Sequence, residues 1–296
     1  MEQNSVCGII VTYNIGNNLY KCFNSIEGQV EKLVIVDNGS NKETIDVLKE
    51  IEKNNNHVEV IYNENNLGIG KALNQGVEVA IKNNFQWVLT MDNDSEATTS
   101  MVEIMINTYN KAINDGRKNI VSIFPTYIEK GFYDSDLTEK SKDDLNKYED
   151  VECEMTSGNL LRTDIFKNIG VFREDYFIDY VDHEYCLRML KNNYASIRAI
   201  DAVLIHSLGN STKKSIAGKT LTYTNHSALR RYYITRNRFD VWNEYKDLPN
   251  NFIKHDKEAY KKEIIKIIAF EDNKINKIKS IFKGIRDFKK NKFGKM

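Results

Sequence analysis

The chain has 296 residues, 41 % of them hydrophobic, only two prolines and a formal net charge of zero. That is enough for one large or two small domains with a sizeable core, and it leaves no room for a Pro-rich linker. No apolar run approaches the ~20 residues a spanning helix needs, and the four cysteines (Cys7, Cys22, Cys153, Cys186) fit no zinc spacing.

The polar stretch Met1 to Ser5 and the short apolar run after it give no signal-peptide pattern. The expectation is a reduced, cytoplasmic compartment with the cysteines in the core. Val6 to Val11 reads as a strand and Leu19 to Ile26 as a short helix. Lys32 to Val36 is a second strand, followed by Asp37-Asn38-Gly39-Ser40 and a helix over Lys42 to Lys53. Val58 to Tyr62 is a third strand. Ile69, Ala72, Leu73, Val77, Ala80 and Ile81 form a helical stripe, and Gln86 to Met91 is the fourth strand. Such alternation predicts a mostly parallel sheet with helices on both faces. Ligands on such sheets bind beyond the carboxyl ends of the strands. Thr12-Tyr13-Asn14, Asp37-Asn38-Gly39 and Asp92-Asn93-Asp94 each follow a strand, so all three should face one crevice.

The pattern then changes. Asn119 to Phe124 reads as a strand. Asp134 to Glu154 holds nine acids and three lysines and reads as an exposed excursion. Met155 to Arg162 and Ile197 to Ile205 read as strands around a helix from Asp182 to Asn192. Tyr223 to Tyr245 carries an aromatic and basic stripe on a helix, and lysine-rich helices follow. From Lys257 to Met296, thirteen Lys/Arg against five Asp/Glu leave an excess of eight positive charges, so the first 256 residues carry an excess of eight negative ones. A basic tail on an acidic body suits an anionic surface, membrane lipid or nucleic acid.

Asp92-Asn93-Asp94 carries the most chemistry. Alternate carboxylates at a strand end point the same way and form a shelf for a hard divalent cation. The competing reading is a solvated loop that caps the next helix. A calcium hand is excluded, because Ala97 stands where the loop needs glycine. Asn66-Leu67-Gly68-Ile69-Gly70 precedes a helix. Its glycines permit close backbone approach, and free amides there suit phosphate; the alternative is a tight loop. Leu73 breaks the dinucleotide fingerprint. Asp37 could accept a hydrogen bond from a base or sugar edge, or simply begin a helix cap. Asp179-Tyr180-Val181-Asp182-His183-Glu184 opens a helix, where acids complement the dipole. A carboxylate there could also take a proton from an attacking hydroxyl, with Arg188 pinning it or an acceptor. His206 after an apolar strand is either a structural histidine or a metal or diphosphate ligand. Arg236-Asn237-Arg238 could face membrane or phosphate.

Taken in order, Val11-Thr12-Tyr13-Asn14, Val36-Asp37-Asn38-Gly39-Ser40, Asn66-Leu67-Gly68-Ile69-Gly70 with Ala72 to Gly76, Thr90 to Asp94, Thr156-Ser157-Gly158-Asn159, Phe177 to Glu184 and His206-Ser207-Leu208-Gly209 resemble glycosyltransferase family 2. They cover residues 6 to 240 and look most like rhamnosyltransferase-type members. The resemblance implies a GT-A fold, Rossmann-like, over residues 1–240, with a basic helical tail over 241–296. It implies an inverting transferase that moves one sugar, since the Gln-x-x-Arg-Trp signature of processive members is absent. The implied donor is dTDP-L-rhamnose, with UDP-sugars as the alternative. The implied acceptor is a hydroxyl of a growing cell-surface polysaccharide or lipid-linked oligosaccharide. A nucleotidyltransferase and a non-catalytic sugar-nucleotide binder are the lesser readings. Nucleic acid is not an expected partner. Contact with the inner face of an anionic membrane, or a homodimer through the C-terminal helices, is.

Roles follow by position in the resemblance. Thr12, Tyr13, Asn14, Asp37, Asn38, Asn66, Gly68, Lys71, Asp92 and Asn93 would bind the nucleotide sugar. Asp94, joined by His206, would hold Mn2+ or Mg2+. Asp182 would be the base. Gly158, Asn159, Asp179, Glu184, Arg188 and Arg236 would serve the acceptor or support the site. Val181 stands where many members have a first acid, and Glu184 is the residue that would compensate.

Overall fold

Val6–Thr12 (β1) is rich in β-branched residues and almost wholly buried, which suits a strand covered on both faces. Its neighbours Lys32–Asp37 (β2) and Trp87–Asp92 (β4) pair with it in parallel, and Val58–Tyr62 (β3) extends the same edge. Leu19–Ile26 (α1), Lys42–Asn54 (α2) and Ile69–Lys82 (α3) connect these strands. Asn41 caps α2 by accepting from the Thr44 amide at 3.1 Å. The computed structural model describes residues 4–130, 146–206, 211–216 and 219–296, with backbone alone for 211–216 and 219–223.

The second half of the sheet is mixed. Glu96–Ala97 (β5), Met101–Asn114 (α4) and Ile120–Glu129 (β6) follow β4. Then come Tyr148–Val151 (β7), Asn159–Arg162 (β8), Ile165–Ile169 (α5), Val181–Lys191 (α6) and Ala195–His206 (β9). The order along the sheet is β3-β2-β1-β4-β8-β6-β9-β5, with β7 beside β9. β8 lies antiparallel between β4 and β6, while β6 and β9 are parallel. The parallel half therefore matches the alternation read from the sequence, and the antiparallel insertion of β8 does not follow from it.

Two apolar layers sandwich the sheet. Ile10 of β1 joins a layer with Leu19, Phe23, Leu48 and Met105, and Ile9 joins the other with Leu73, Val77, Phe166 and Tyr185. This is the two-residue alternation of a strand covered on both faces.

Several boundaries differ from expectation. β6 runs past Pro125, where a register shift against β9 lets the strand continue without the proline amide. The predicted excursion at 134–154 contains β7. It is an edge strand whose acids are matched by bases: Arg198 pairs with Glu149 and Arg117 with Asp150. Charge alone therefore hid it, and residues 131–145 lie outside the described residues. The predicted helix from Tyr223 begins only at Ala228. Residues 211–216 (β10) and 219–224 (β11) pair as antiparallel strands before it.

Ala228–Glu244 (α7), Phe252–Phe270 (α8) and Lys274–Lys289 (α9) close the chain. α9 lies against α7, and a Cβ on Gly284 would stand 2.8 Å from the Tyr232 carbonyl. Segment 241–296 is thus joined to the body. Part of the lysine excess is internal: Lys277 is buried and bonds Glu271 at 2.8 Å.

Candidate active site

The parallel registers bring Thr12 level with Asp37 and Val11 level with Asp92. The carboxyl ends of β1, β2 and β4 therefore open on one cleft of about 240 Å³. Thr12, Tyr13, Asn38, Asn66, Gly68, Asp92, Asn93 and Asp94 line it, together with Phe177 and Ile178. A larger cavity of about 570 Å³ lies at the other end of β4, around Trp87 and Arg162. It lacks the paired carboxylates.

β9 runs antiparallel to β5, with Ile205 opposite Glu96, and so returns His206 to the shelf. One ligand atom each of Asp92, Asp94 and His206 lies within 4.8 Å of the other two. Two carboxylates and an imidazole at that spacing suit a divalent cation. The group is braced from behind. The Asp92 amide donates to Ser157 Oγ at 3.0 Å, Ser157 Oγ donates to Ser95 Oγ at 2.8 Å, and Ser95 Oγ meets His206 Nδ1 at 2.8 Å. Burial, with Asp94 and Asp182 close by, pushes the Asp92 carboxyl up to about 7. A like-charge cluster of this kind favours a proton or a metal ion. Residues 207–209 of the motif that His206 opens lie outside the described residues.

Asp37 is buried. One of its oxygens accepts from the Gly39 and Ser40 amides at 3.1 and 3.0 Å, and the other has no partner among the described residues. Asn38 accepts from the Leu67 amide at 2.9 Å and donates to Asn66 Oδ1 at 3.2 Å, which ties two binding loops together. Asn14 sits at φ +54° and bonds Ser40 and Asn41, so it braces the Tyr13 turn.

Asp182 sits in the first turn of α6. One oxygen accepts from the His183 amide at 2.8 Å and lies 3.0 Å from His183 Nδ1. Burial works against both charges, yet each outweighs it for the other. His183 is held up at about 9 and Asp182 falls below its ordinary 3.8. Among the described residues no hydrogen bond is made to the second oxygen of Asp182. Asp179 is half-buried and accepts from Arg230 at 3.0 Å. Burial pushes its carboxyl up against the pull of that guanidinium.

Several expected site residues turn elsewhere. Lys71 points to Glu174 at 3.2 Å rather than into the cleft. Glu184 is buried, ion-paired with Arg188 and bonded by the Tyr245 hydroxyl at 2.7 Å, so it cannot stand in for the missing acid at 181. Arg188 for its part pairs with Glu184 and donates to the Val171 carbonyl at 2.8 Å, not to Asp182. Arg236 is buried and donates to the carbonyls of Tyr176 and Gly294 at 2.9 and 2.7 Å, so it faces neither membrane nor phosphate. Gly158 at φ +76° and Asn159, bonded by Ser122 at 2.7 Å, support the shelf from behind. The glycines at the start of α3 admit protein, not phosphate: a Cβ on Gly70 would meet the Arg173 carbonyl at 2.3 Å, and the Ile69 amide donates to the Phe177 carbonyl at 2.7 Å.

Phe177, Ile178, His183 and Arg230 were not singled out from sequence. Phe177 and His183 stand inside a motif whose acids drew attention first. Arg230 stands in the basic stripe of α7, where nothing separates it from Arg231.

Residues 7–170 match the profile of glycosyl transferase family 2. The chain belongs to that family. It is 29 % identical over 249 residues to the dTDP-rhamnosyl transferase RfbF of Shigella flexneri, covering 80 % of this chain and 79 % of that protein. Among solved structures it is similar to GalNAc-T7 with UDP, GalNAc and Mn2+, at a TM-score of 0.59 and 15 % identity over 82 % of this chain and 49 % of that one. It is also similar to S. aureus TarS, at a TM-score of 0.52 and 15 % identity over 90 % of this chain and 44 % of that one. This chain thus spans about half the length of those two solved chains, which show the shared GT-A fold. The protein is a glycosyltransferase.

Proposed function

We propose that this glycosyltransferase moves one L-rhamnosyl unit from dTDP-rhamnose to a hydroxyl of a saccharide acceptor, with inversion. The observation that carries it is the Asp92–Asp94–His206 group at the strand ends with Asp182 close by, in a chain similar over most of its length to a dTDP-rhamnosyl transferase. A divalent ion held by those three residues, Mn2+ or Mg2+, would supply stabilisation of the negative charge that grows on the leaving diphosphate. Thr12, Tyr13 and Asn38 border the nucleotide, and the unpartnered oxygen of Asp37 accepts an N–H from its base. Asp182 takes the acceptor proton on its free oxygen as the hydroxyl attacks the anomeric carbon from the face opposite the leaving group. His183 holds the other oxygen and so fixes the direction of attack.

A UDP-sugar donor is the second reading, favoured by the UDP named with one fold neighbour. The acceptor we infer is a growing cell-surface or lipid-linked saccharide, met at the cytoplasmic side of a membrane. Ile265, Ile268, Ile275 and Phe282 stand exposed on α8 and α9 beside lysines, which supports peripheral contact with anionic lipid. The same apolar face would serve a homodimer. Among the described residues no helix is long and apolar enough to cross a membrane.

The test is a panel of nucleotide sugars with manganese and with chelator. Metal-dependent release of TDP from dTDP-rhamnose, with a product whose anomeric configuration is inverted, is expected. Turnover of UDP-sugars alone, or full activity in chelator, overturns the assignment.

A further inference from the structure

We propose that Phe293–Met296 is a strap completing the wall of the donor cleft, and that Lys295 is a donor-binding residue carried on it. This rests on the nucleotide-sugar reading above. In the sheet order the carboxylate shelf follows β4 on one side of β1, and the Asn66 loop follows β3 on the other. The strap lies on the Asn66 side.

The strap is built in rather than draped. Phe293 stacks on Tyr176 at 6.0 Å between the guanidinium groups of Arg173 and Arg236, at 5.3 and 5.2 Å. The Gly294 amide donates to the Asp175 carbonyl at 2.7 Å, and the Gly294 carbonyl accepts from Arg236 at 2.7 Å. The Met296 amide donates to the Tyr233 hydroxyl at 2.7 Å. These anchors fix the backbone on both sides of Lys295. Gly294 supplies the turn with φ +89°.

Lys295 is thereby aimed at the cleft wall. Its Nζ donates to the Asn66 carbonyl at 3.0 Å and stands 5.6 Å from the ring centroid of Phe177. Asn66 and Phe177 both line the cleft. Lys71 and Arg230 are each matched to a carboxylate, Glu174 and Asp179. Among the described residues the contacts of Lys295 are instead a carbonyl and a ring face, and no carboxylate pairs with it. An ammonium has three donors, and one is used. The others are free for an oxygen of the bound nucleotide diphosphate, whose negative charge the shelf acids do nothing to attract.

The test uses the full chain. Wild type, Lys295→Ala, Lys295→Arg and Phe293→Ala are titrated with TDP and with UDP in the presence of Mn2+, and donor KM and kcat are measured with dTDP-rhamnose. Loss of one charge-assisted hydrogen bond predicts about tenfold weaker nucleotide binding in Lys295→Ala, with donor KM raised to match. Its kcat should fall as well, since negative charge grows on the diphosphate in the transition state, while its melting temperature should stay unchanged. Lys295→Arg should recover most of the affinity. Phe293→Ala should lose affinity as the strap comes away. Wild-type affinity in Lys295→Ala overturns the proposal and leaves the glycosyltransfer reading standing. So does a variant that loses melting temperature and kcat together, which makes the residue structural. A wild-type protein that binds neither nucleotide overturns the donor reading and the strap with it.

Discussion

The Asp182–His183 pair makes two chemical commitments that can be measured separately. Asp182→Asn keeps the shape but cannot accept a proton. Turnover should fall by at least ~10²-fold with nucleotide binding kept. Glu184→Gln should act on stability, since Glu184 sits in a buried pair with Arg188. A dead Glu184→Gln beside an active Asp182→Asn would show that the wrong carboxylate has been named. His183 gives a pH signature. Its folded pKa of about 9 lies above its ordinary 6.5. The pair's stabilisation is therefore full below that ordinary value and lost as the pH rises through the folded one. Asp182 has the opposite sign: its share is present above 3.8 and lost as the pH falls through its lower folded value. Melting curves from about pH 6 to about pH 10 should show wild type losing stability relative to His183→Gln. Parallel curves would remove the ion pair from the account. Asp92 and Asp94 stood out in the sequence because acids after a strand announce themselves, and Asp182 because acids crowd the start of α6. Lys71 was not: its partner Glu174 lies about a hundred residues away, and a lysine beside a glycine loop reads as a phosphate ligand.

At the scale of elements, α7 does more than its sequence suggests. Arg236 and Asn237 were read as a surface patch, yet both are buried. Asn237 donates to the carbonyls of Ile178 and Asp179 at 2.9 Å each, and so holds a loop in which Phe177, Asp179 and Tyr180 all take positive φ. Those backbones are strained, and α7 is what keeps them. Arg236→Met fits by volume but strands the buried carbonyls it serves. It should cost about 3 kcal/mol or more in urea melts, since each buried unsatisfied acceptor costs ~1–3 kcal/mol. A loss within about 0.5 kcal/mol, the range of an ordinary surface substitution, would contradict the role. Periodicity could not reveal this. A helix buried through arginines has no apolar stripe to read, whereas β1 to β4 and α1 to α3 were readable because their apolar spacing follows the period of each element. β8 escaped for a third reason: its antiparallel place depends on contacts with β4 and β6 that no local pattern encodes.

The whole molecule carries its charge unevenly, and the tail is where this has consequences. α9 packs on α7, and Ile267 and Ile281 are buried, so part of the tail's apolar surface belongs to the protein itself. Ile265, Ile268, Ile275 and Phe282 remain outside. Each basic residue near an anionic bilayer is worth about 1 kcal/mol. Phe282→Glu with Ile268→Glu should therefore release the protein from vesicles rich in anionic lipid in a sedimentation assay, with donor hydrolysis intact. Equal binding to neutral vesicles, or no release, would assign this face to another copy of the chain or to solvent.

The docked strap also decides where a foreign sequence can be attached. The Met296 amide is bonded at the Tyr233 hydroxyl, one residue from Lys295 on the cleft wall. An affinity handle or reporter fused after Met296 would leave the body at the mouth of the donor site. One fused on the amino side of β1 would join the end of that strand away from the cleft, since β1 runs toward it. Preparations tagged at the two ends should thus differ in donor KM while sharing the same fold, and assays of this enzyme are best calibrated on the amino-terminal fusion.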